Sequence, residues 1–304
     1  MATRIQCKPI AAFGGADVCG IDLAKPYGED VRAELLRLFD EHHILLFRNQ
    51  QLQPDDQIRA LGIFGNVIDE NADGIRHTYV SNVRPDGLLG TRGLPWHSDF
   101  SFLKHPAQVL SLYGADVVGE PEPTTYINAV RAAAHLPADL RRRLEELTAM
   151  HVHDYSVDGG KNPDHGRVRL LELPAMPPYA THPRASYPLI VKLPRTGTPV
   201  LRVTQFHTSH VEGMSSAQSE AIIQDLFGRL YSEDNMYAHR WKQGDLVVWN
   251  NIAIQHGRKP FQGVARAARR TLCRVAVMDQ TVPQIMEGVT YNSTGGFKVK
   301  PAMA

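Results

Sequence analysis

Residues 244–258 read GDLVVWNNIAIQHGR, two short apolar runs separated by a turn signal. A Gly-Asp pair opens the first run, and an Asn-Asn pair separates it from a second run that ends at His256. Short apolar runs bounded by Gly, Asp and Asn are typical of β-strands joined by turns. The stretch therefore predicts two consecutive strands. His256 is expected at the end of the second strand. Its neighbour Gly257 has no side chain and so lets another backbone or a ligand approach closely.

Further apolar runs occur along the chain and indicate its fold class. They lie at 44–47, 78–83, 107–113, 188–192, 200–204 and 270–278. Four segments have apolar residues at helical spacing instead, and they begin near Glu29, Pro54, Pro137 and Ser215. The third is predicted to run to about Met150, and Ser215-x-x-Gln218 resembles a capping box at the start of the fourth. Many short strands with helices outside them predict a mainly β fold with flanking helices, in the form of a double-sheet jelly roll.

The composition is that of an ordinary soluble protein. The chain has 304 residues, 21% charged residues and a formal net charge of +1. A balanced charge gives no reason to expect nucleic acid as a partner. No apolar run approaches the roughly 18 residues of a membrane span, and the first residues lack an apolar signal core. Three widely spaced cysteines fit reduced thiols, so we expect a cytoplasmic protein; whether it forms a homo-oligomer stays open.

The pair His97-Ser98-Asp99 is the clearest candidate for metal binding. On a strand, residues two apart point to the same side, so His97 and Asp99 could grip one ion. A third ligand has to come from elsewhere, and His256 is the best candidate. Two imidazoles and one carboxylate form the facial triad of non-haem Fe(II) oxygenases, although zinc is chemically possible there too.

Two other histidine groups compete with this triad. His151 and His153 have strand-like spacing and are followed by Asp154, and His207 is followed by His210. Each group could supply metal ligands. Neither stands in a sequence context like that of His256, which is followed by a strand with two arginines.

That strand is predicted over 270–278, and it places Arg270 and Arg274 on one face. Both faces are largely apolar, so the strand should be covered on both sides. Buried arginines are unfavourable unless anions meet them. A carboxylate-bearing cosubstrate would satisfy one or both, because arginine suits bidentate carboxylate binding. Protein carboxylates are the alternative partners.

These motifs, in this order, resemble those of the taurine and chlorophenoxyacetate dioxygenase family, whose members are Fe(II)- and 2-oxoglutarate-dependent oxygenases. The resemblance rests on Trp96-His97-Ser98-Asp99, Gly244-Asp245, Trp249-Asn250-Asn251, His256, Arg269-Arg270 and Arg274. It implies a double-stranded β-helix, a single domain over residues 1–304, and Fe(II), 2-oxoglutarate and O2 as cofactor and cosubstrates. His97, Asp99 and His256 are the implied iron ligands.

The resemblance also implies roles for residues beyond the metal. Arg270 would pair with the distal carboxylate of 2-oxoglutarate, and the hydroxyl of Thr125 would support it. Arg274 would face an anion on the substrate. The taurine enzymes carry histidines where this chain has residues 66–71, and an asparagine where it has Gly93. Taurine is therefore not expected as the substrate.

A small organic substrate is expected, anionic or amino-acid-like, with hydroxylation as the default outcome. The predicted substrate-binding residues are Arg274, Asn82, Phe100, Phe102, Asp69 and Glu70. The two acidic residues could favour an amine. Desaturation at the same centre is one alternative function, and a non-catalytic sensor of metal and oxoacid or a zinc hydrolase are others.

The segment 151–187 has little periodicity and many prolines and glycines. Loops this long in a compact domain are usually functional or disordered. We interpret the segment as an active-site lid, with a surface insertion as the alternative.

Overall fold

The computed structural model describes residues 5–70, 72–156, 166–285, 289–292 and 296–299, the last two ranges by their backbone alone. Its strands, in chain order, are β1 Gln6–Ala11, β2 Gly14–Cys19, β3 Ile44–Phe47, β4 Thr78–Ser81, β5 Leu88–Leu89, β6 Leu94–His97, β7 Val109–Val118, β8 Thr124–Asn128, β9 Thr148–Val152, β10 Arg184–Pro188, β11 Ile190–Lys192, β12 Pro199–Leu201, β13 Thr208–Val211, β14 Met236–His239, β15 Leu246–Asn250, β16 Ile254–Arg258, β17 Arg269–Val277, β18 Val289–Asn292 and β19 Gly296–Val299. Its α-helices are α1 Glu29–His42, α2 Pro54–Leu61, α3 Ala129–Ala134, α4 Ala138–Glu145, α5 Ser216–Leu230 and α6 Val282–Ile285.

Two sheets form the barrel. The larger has eight strands in the order β1-β2-β3-β15-β7-β17-β4-β5, and the smaller has four in the order β14-β8-β16-β6. Neighbours in the order are mostly distant in sequence, as in a jelly roll. Smaller sheets β10-β9-β13, β11-β12 and β18-β19 accompany them. The predicted mainly β jelly roll is confirmed.

The large sheet is covered on both faces, and this explains why its strands are continuously apolar. In β15, Val247 and Trp249 belong to the core between the two sheets, while Leu246 and Val248 pack in a second core with α1 and α2. Strands buried on both faces have near-continuous hydrophobic sequences. β17 follows the same alternation, so its arginines at even-numbered positions face the space between the sheets, as Leu272 does.

The sequence predicted where the helices begin better than where they end. The capping box predicted at Ser215 is present, since its side chain accepts from the backbone N–H of Gln218. The helix predicted from Pro137 to about residue 150 is too long. α4 ends at Glu145, and β9 begins at Thr148 because residues 148–152 pair with β10 and β13.

The predicted lid begins and ends in strands. Residues 151–152 belong to β9 and 184–187 to β10, which pair with each other. Between them, 157–165 lie outside the described residues, so the lid remains a prediction. No helix in the described part of the chain has the length and apolar character needed to cross a bilayer.

Candidate functional site

The pairing of β6 with β16 brings the three predicted metal ligands together. His97 lies directly opposite His256 in the antiparallel register, and their ring centroids are 4.3 Å apart. Asp99 follows the end of β6, with its Oδ1 2.9 Å from His97 Nε2 and 3.7 Å from His256 Nε2. One ligand atom from each residue lies within 4.8 Å of the others. A single ion can therefore touch all three.

The protonation of the two imidazoles suits a metal. His97 Nδ1 lies 2.8 Å from the carbonyl oxygen of Pro95, which can only accept, so Nδ1 carries the proton. In the neutral ring Nε2 then presents a lone pair to the Asp99 carboxylate, an arrangement that a cation satisfies. Burial, followed by the neighbouring His97, lowers the pKa of His256 to about 3. His256 is thus neutral, as a metal ligand must be.

Asn251 fixes the backbone that carries Asp99. Its Oδ1 accepts from the Asp99 N–H at 2.9 Å, and its Nδ2 donates to the carbonyl oxygens of Asp99 at 2.9 Å and Ala107 at 2.8 Å. The side chain is fully buried in the turn between β15 and β16. The sequence indicated only a turn there, because an Asn-Asn pair carries no sign of a partner 152 residues away.

Arg274 is held between two protein carboxylates. Its Nη2 lies 2.6 Å from Asp99 Oδ2, and its Nη1 donates to Glu70, which is also buried. Burial opposes ionisation of Asp99, but the charge of Arg274 and the neighbouring imidazole of His97 hold the pKa of that carboxyl well below its usual range. For Glu70, burial outweighs the arginine and raises the pKa. Protein carboxylates are thus the partners of Arg274 here. Its contact with a substrate anion stays a prediction and requires an exchange of partners.

Arg270 has no such partner. Its side chain is 2% exposed, and its Nη2 donates to Thr124 Oγ1 at 2.5 Å. Its Nε and Nη1 have no hydrogen-bond partner among the described residues. Burial, followed by the charge of Arg258, pushes the pKa of Arg270 well below its ordinary value. A buried, unpaired guanidinium is unfavourable until an anion reaches it.

The hydroxyl beside Arg270 belongs to Thr124, which corrects the prediction of Thr125. Adjacent residues of a strand face opposite sides, and Thr124 is the buried one of the pair. Thr124 Oγ1 also accepts from Trp241 Nε1 at 3.0 Å. A threonine hydroxyl has two lone pairs and one proton. Both lone pairs are used, so the proton is left for a further acceptor.

Asn82 and Asp69 contact the protein backbone. Asn82 Oδ1 accepts from Arg270 N at 2.8 Å, and its Nδ2 donates to Ala268 O at 2.7 Å. Asn82 therefore supports the strand that carries Arg270. Asp69 accepts from the backbone N–H of Gly74 at 2.5 Å. Their contacts with substrate stay predictions.

A cluster of rings adjoins the triad, and we call Phe102, His153, Tyr155, Phe206 and His207 the ring cluster. Phe102 is 5.0 Å from both His153 and His207, measured between ring centroids. His207 lies 5.9 Å and Phe206 6.2 Å from the ring of His97. The predicted Phe100 lies at its edge, 6.2 Å from Phe102, and its φ of 58° is left-handed.

Of the rival histidines, His153 and His207 contribute to this cluster, His151 is buried elsewhere and His210 is half-buried beside Ser209. His207 Nδ1 shares a hydrogen bond of 2.9 Å with Ser101 Oγ, and burial holds the pKa of His207 well below its ordinary value. His151 is fully buried near Thr208. Among the described residues, His97, Asp99 and His256 are the one group of three or more His, Cys, Asp and Glu side chains close enough to share an ion.

A jelly roll that combines two histidines and a carboxylate with a buried, unpaired arginine defines the class of 2-oxoglutarate-dependent non-haem iron oxygenases. The comparisons agree with this class. The family model described as "Taurine catabolism dioxygenase TauD, TfdA family" matches residues 6–276. The chain belongs to this family and is a 2-oxoglutarate-dependent non-haem iron dioxygenase, which uses Fe(II), 2-oxoglutarate and O2.

Individual relatives cover nearly the whole chain. The chain is 31% identical to an alpha-ketoglutarate-dependent 2,4-dichlorophenoxyacetate dioxygenase of Cupriavidus pinatubonensis, over 91% of this chain and 99% of that protein. It is 26% identical to an alkylsulfatase of Acinetobacter baylyi, over 83% of this chain and 79% of the relative. The crystal structure of a taurine dioxygenase from Burkholderia xenovorans superposes with a TM-score of 0.73 at 22% identity, covering 91% of each chain, and shares its fold.

Proposed function

We propose that this dioxygenase hydroxylates a small organic molecule, with Fe(II) held by His97, Asp99 and His256 and 2-oxoglutarate held by Arg270 and Thr124. When bound, the iron supplies the activation of O2. The balanced reaction converts substrate, 2-oxoglutarate and O2 into hydroxylated substrate, succinate and CO2. The unpaired guanidinium of Arg270, buried on the same interior side as the triad, carries the proposal because it needs an anionic partner.

The charges of the site support a substrate that adds little charge of its own. The charge of Fe(II) balances the two negative charges of 2-oxoglutarate. The charges of Arg270 and Arg274 balance those of Asp99 and Glu70. An anionic or amino-acid-like substrate is accommodated if its carboxylate takes the place of Glu70 at Arg274. The assay of Arg274→Leu at saturating 2-oxoglutarate tests this. A fall in substrate affinity supports an anion, and unchanged affinity rules it out.

We place an apolar or aromatic part of the substrate against the ring cluster. Its rings border His97, so a flat group placed against Phe102 and His207 would lie beside the metal. The molecule named for the Cupriavidus relative, 2,4-dichlorophenoxyacetate, contains both an aromatic ring and a carboxylate. We propose a substrate with this combination of an apolar body and, at most, one anionic group.

Gly93 supplies a structural reason to exclude taurine as the substrate. A Cβ added at this position would lie 2.8 Å from Pro260 Cδ and 3.2 Å from the carbonyl oxygen of Arg258. The backbone is therefore too close to Pro260 for residue 93 to carry a side chain toward a substrate. We expect taurine not to stimulate succinate formation.

We further propose that the chain is a single domain in which the segment between β9 and β10 covers the site. His153 and Tyr155 stand at the beginning of that segment, and both contact Phe102. A cover that contributes to the ring cluster would exclude water from the reacting atoms.

The function is tested by measuring succinate from Fe(II), 2-oxoglutarate and O2 while candidate substrates are screened, with product mass as the second readout. A product that gains one oxygen atom from O2 supports hydroxylation, and loss of two hydrogens indicates desaturation. His97→Ala, Asp99→Ala and His256→Ala should each abolish turnover, whereas the matched control His105→Ala, at an exposed site, should not. Binding of 2-oxoglutarate without any succinate formation would favour a sensor.

A further inference from the structure

Tyr126 is a buried residue whose hydroxyl has no partner. It lies two positions after Thr124 in β8, so the two side chains face the same side of the strand. Tyr126 is 0% exposed, and its hydroxyl makes no hydrogen bond within the described residues. Leaving a buried hydroxyl unsatisfied costs roughly 1–3 kcal/mol, and buried tyrosine hydroxyls usually find a partner. This hydroxyl therefore marks a place where a partner is missing.

Its neighbours place Tyr126 between the metal ligands and Arg270. Its Cα pairs with that of His256 across β8 and β16. Its ring lies 5.3 Å from that of Trp249, which in turn lies 4.9 Å from the ring of His256. On the other side, Arg270 contacts Thr124 on the same strand face. Burial raises the pKa of the Tyr126 phenol well above its usual range, and the charge of Arg270 opposes that rise.

Unsatisfied side-chain atoms of Arg270 and Trp249 share one property with the Tyr126 hydroxyl. Arg270 Nε and Nη1 and Trp249 Nε1 are also buried without a partner in the described part of the chain. All three are pure donors, and the neutral phenol can donate as well. A group of buried donors that have no acceptor is complementary to an occupant rich in oxygen acceptors.

We propose that the Tyr126 hydroxyl donates a hydrogen bond to the carboxylate of 2-oxoglutarate that pairs with Arg270. This rests on the proposed function and adds a third contact to the cosubstrate site. Arg270 supplies the charge, Thr124 one hydroxyl proton and Tyr126 another, so that the carboxylate is fixed in position as well as neutralised.

The test is Tyr126→Phe, which removes only the hydroxyl. Calorimetric titration of the Mn(II)-loaded protein with 2-oxoglutarate measures binding without turnover. A hydrogen bond to a charged group corresponds to a loss of affinity of about tenfold to a hundredfold. The ligand-free variant should be at least as stable as the parent protein, since it loses an unsatisfied group. In turnover, KM for 2-oxoglutarate should rise while kcat at saturation stays nearly unchanged.

Tyr237→Phe is the matched control. Its ring centroid lies 6.4 Å from that of Tyr126, but its hydroxyl is already hydrogen-bonded to His239 Nδ1 at 2.9 Å. It should retain the parent affinity for 2-oxoglutarate. Parent-like affinity in Tyr126→Phe, together with a large loss in Arg270→Ala, overturns this inference alone. No binding of 2-oxoglutarate by the parent protein overturns the proposed function with it.

Discussion

Arg270 and Arg274 lie on the same face of β17, one on each side of Leu272. They differ in the groups that neutralise their charges. Arg274 is paired with Asp99 and Glu70, whereas Arg270 contacts a threonine hydroxyl and has two nitrogens without partners in the described structure. A buried guanidinium that is already paired can hold a metal ligand in place. One that is unpaired is prepared for an incoming anion. The same residue type thus serves two purposes on one strand.

Arg270→Ala should raise the concentration of 2-oxoglutarate required for half-maximal turnover by about tenfold to a few hundredfold, because a charge-assisted hydrogen bond is lost. Metal affinity should change much less. Arg269→Ala is the matched control, since Arg269 is exposed and pairs with Asp116 at the surface. If both variants behave alike, or if Arg274→Ala rather than Arg270→Ala affects 2-oxoglutarate, the roles assigned to the arginines are wrong.

Glu70→Ala should lower the free energy of unfolding by about 1–3 kcal/mol, because it leaves the buried Nη1 of Arg274 without its hydrogen-bond acceptor. Chemical denaturation measures the effect. Asp116→Ala breaks the exposed pair with Arg269 and should cost less than about 1 kcal/mol. Equal effects of the two substitutions would mean that the Glu70–Arg274 pair contributes no more than a surface contact.

The turn between β15 and β16 connects the two sheets of the barrel at the metal site. Asn250 and Asn251 are adjacent in it but act differently. Asn250 Oδ1 accepts from the backbone N–H groups of Ile252 and Ala253 and so shapes the turn. Asn251 bonds to both backbone polar groups of Asp99 and orients a metal ligand.

Asn251→Ala should therefore weaken metal binding by about tenfold to a hundredfold, the usual effect of losing a group that orients a ligand. Asn250→Ala should lower stability with little effect on metal affinity, measured by titration with Mn(II). A metal affinity that is the same in both variants would show that Asp99 does not depend on Asn251.

Sequence patterns predicted a strand or helix correctly where burial alone determines its type. β15 and β17 were found because both faces of each strand are covered and the apolar runs are continuous. The end of α4 was missed because Leu147 and Met150 continue a helical spacing. Only the pairing of β9 with β10 makes Met150 a strand residue. Thr124 was missed because two adjacent threonines differ only in the face that the strand gives them.

The ion-pair and hydrogen-bond partners of the site residues could not be predicted from the sequence, for a similar reason. The HxD pair, His256 and the arginines were visible as residue types at given spacings. The pairing of Glu70 with Arg274 joins residues 204 positions apart, and Asn251 bonds to a residue 152 positions away. Such contacts follow from the sheet order, which local pattern does not determine.

The stability of the protein should fall in acid because histidines are buried in their neutral form. Burial lowers the pKa of His151 to about 3, from an ordinary value of 6.5. The unfolded chain binds the proton more readily, so the stabilising effect is complete above about pH 6.5 and is lost as the pH falls toward 3. The slope for one such histidine is about 1.4 kcal/mol per pH unit. The free energy of unfolding of His151→Gln should depend less on pH over this range, while exposed His105→Gln should follow the parent. A parent-like slope in His151→Gln would show that another group causes the loss.

The assignment of the metal and cosubstrate sites is decided by anomalous diffraction from crystals grown with Mn(II) and N-oxalylglycine, a stable analogue of 2-oxoglutarate. We predict one Mn(II) coordinated by His97, Asp99 and His256, with the analogue's distal carboxylate against Arg270 and Thr124. A metal bound instead between His153 and His207, or a distal carboxylate away from Arg270, would contradict the account.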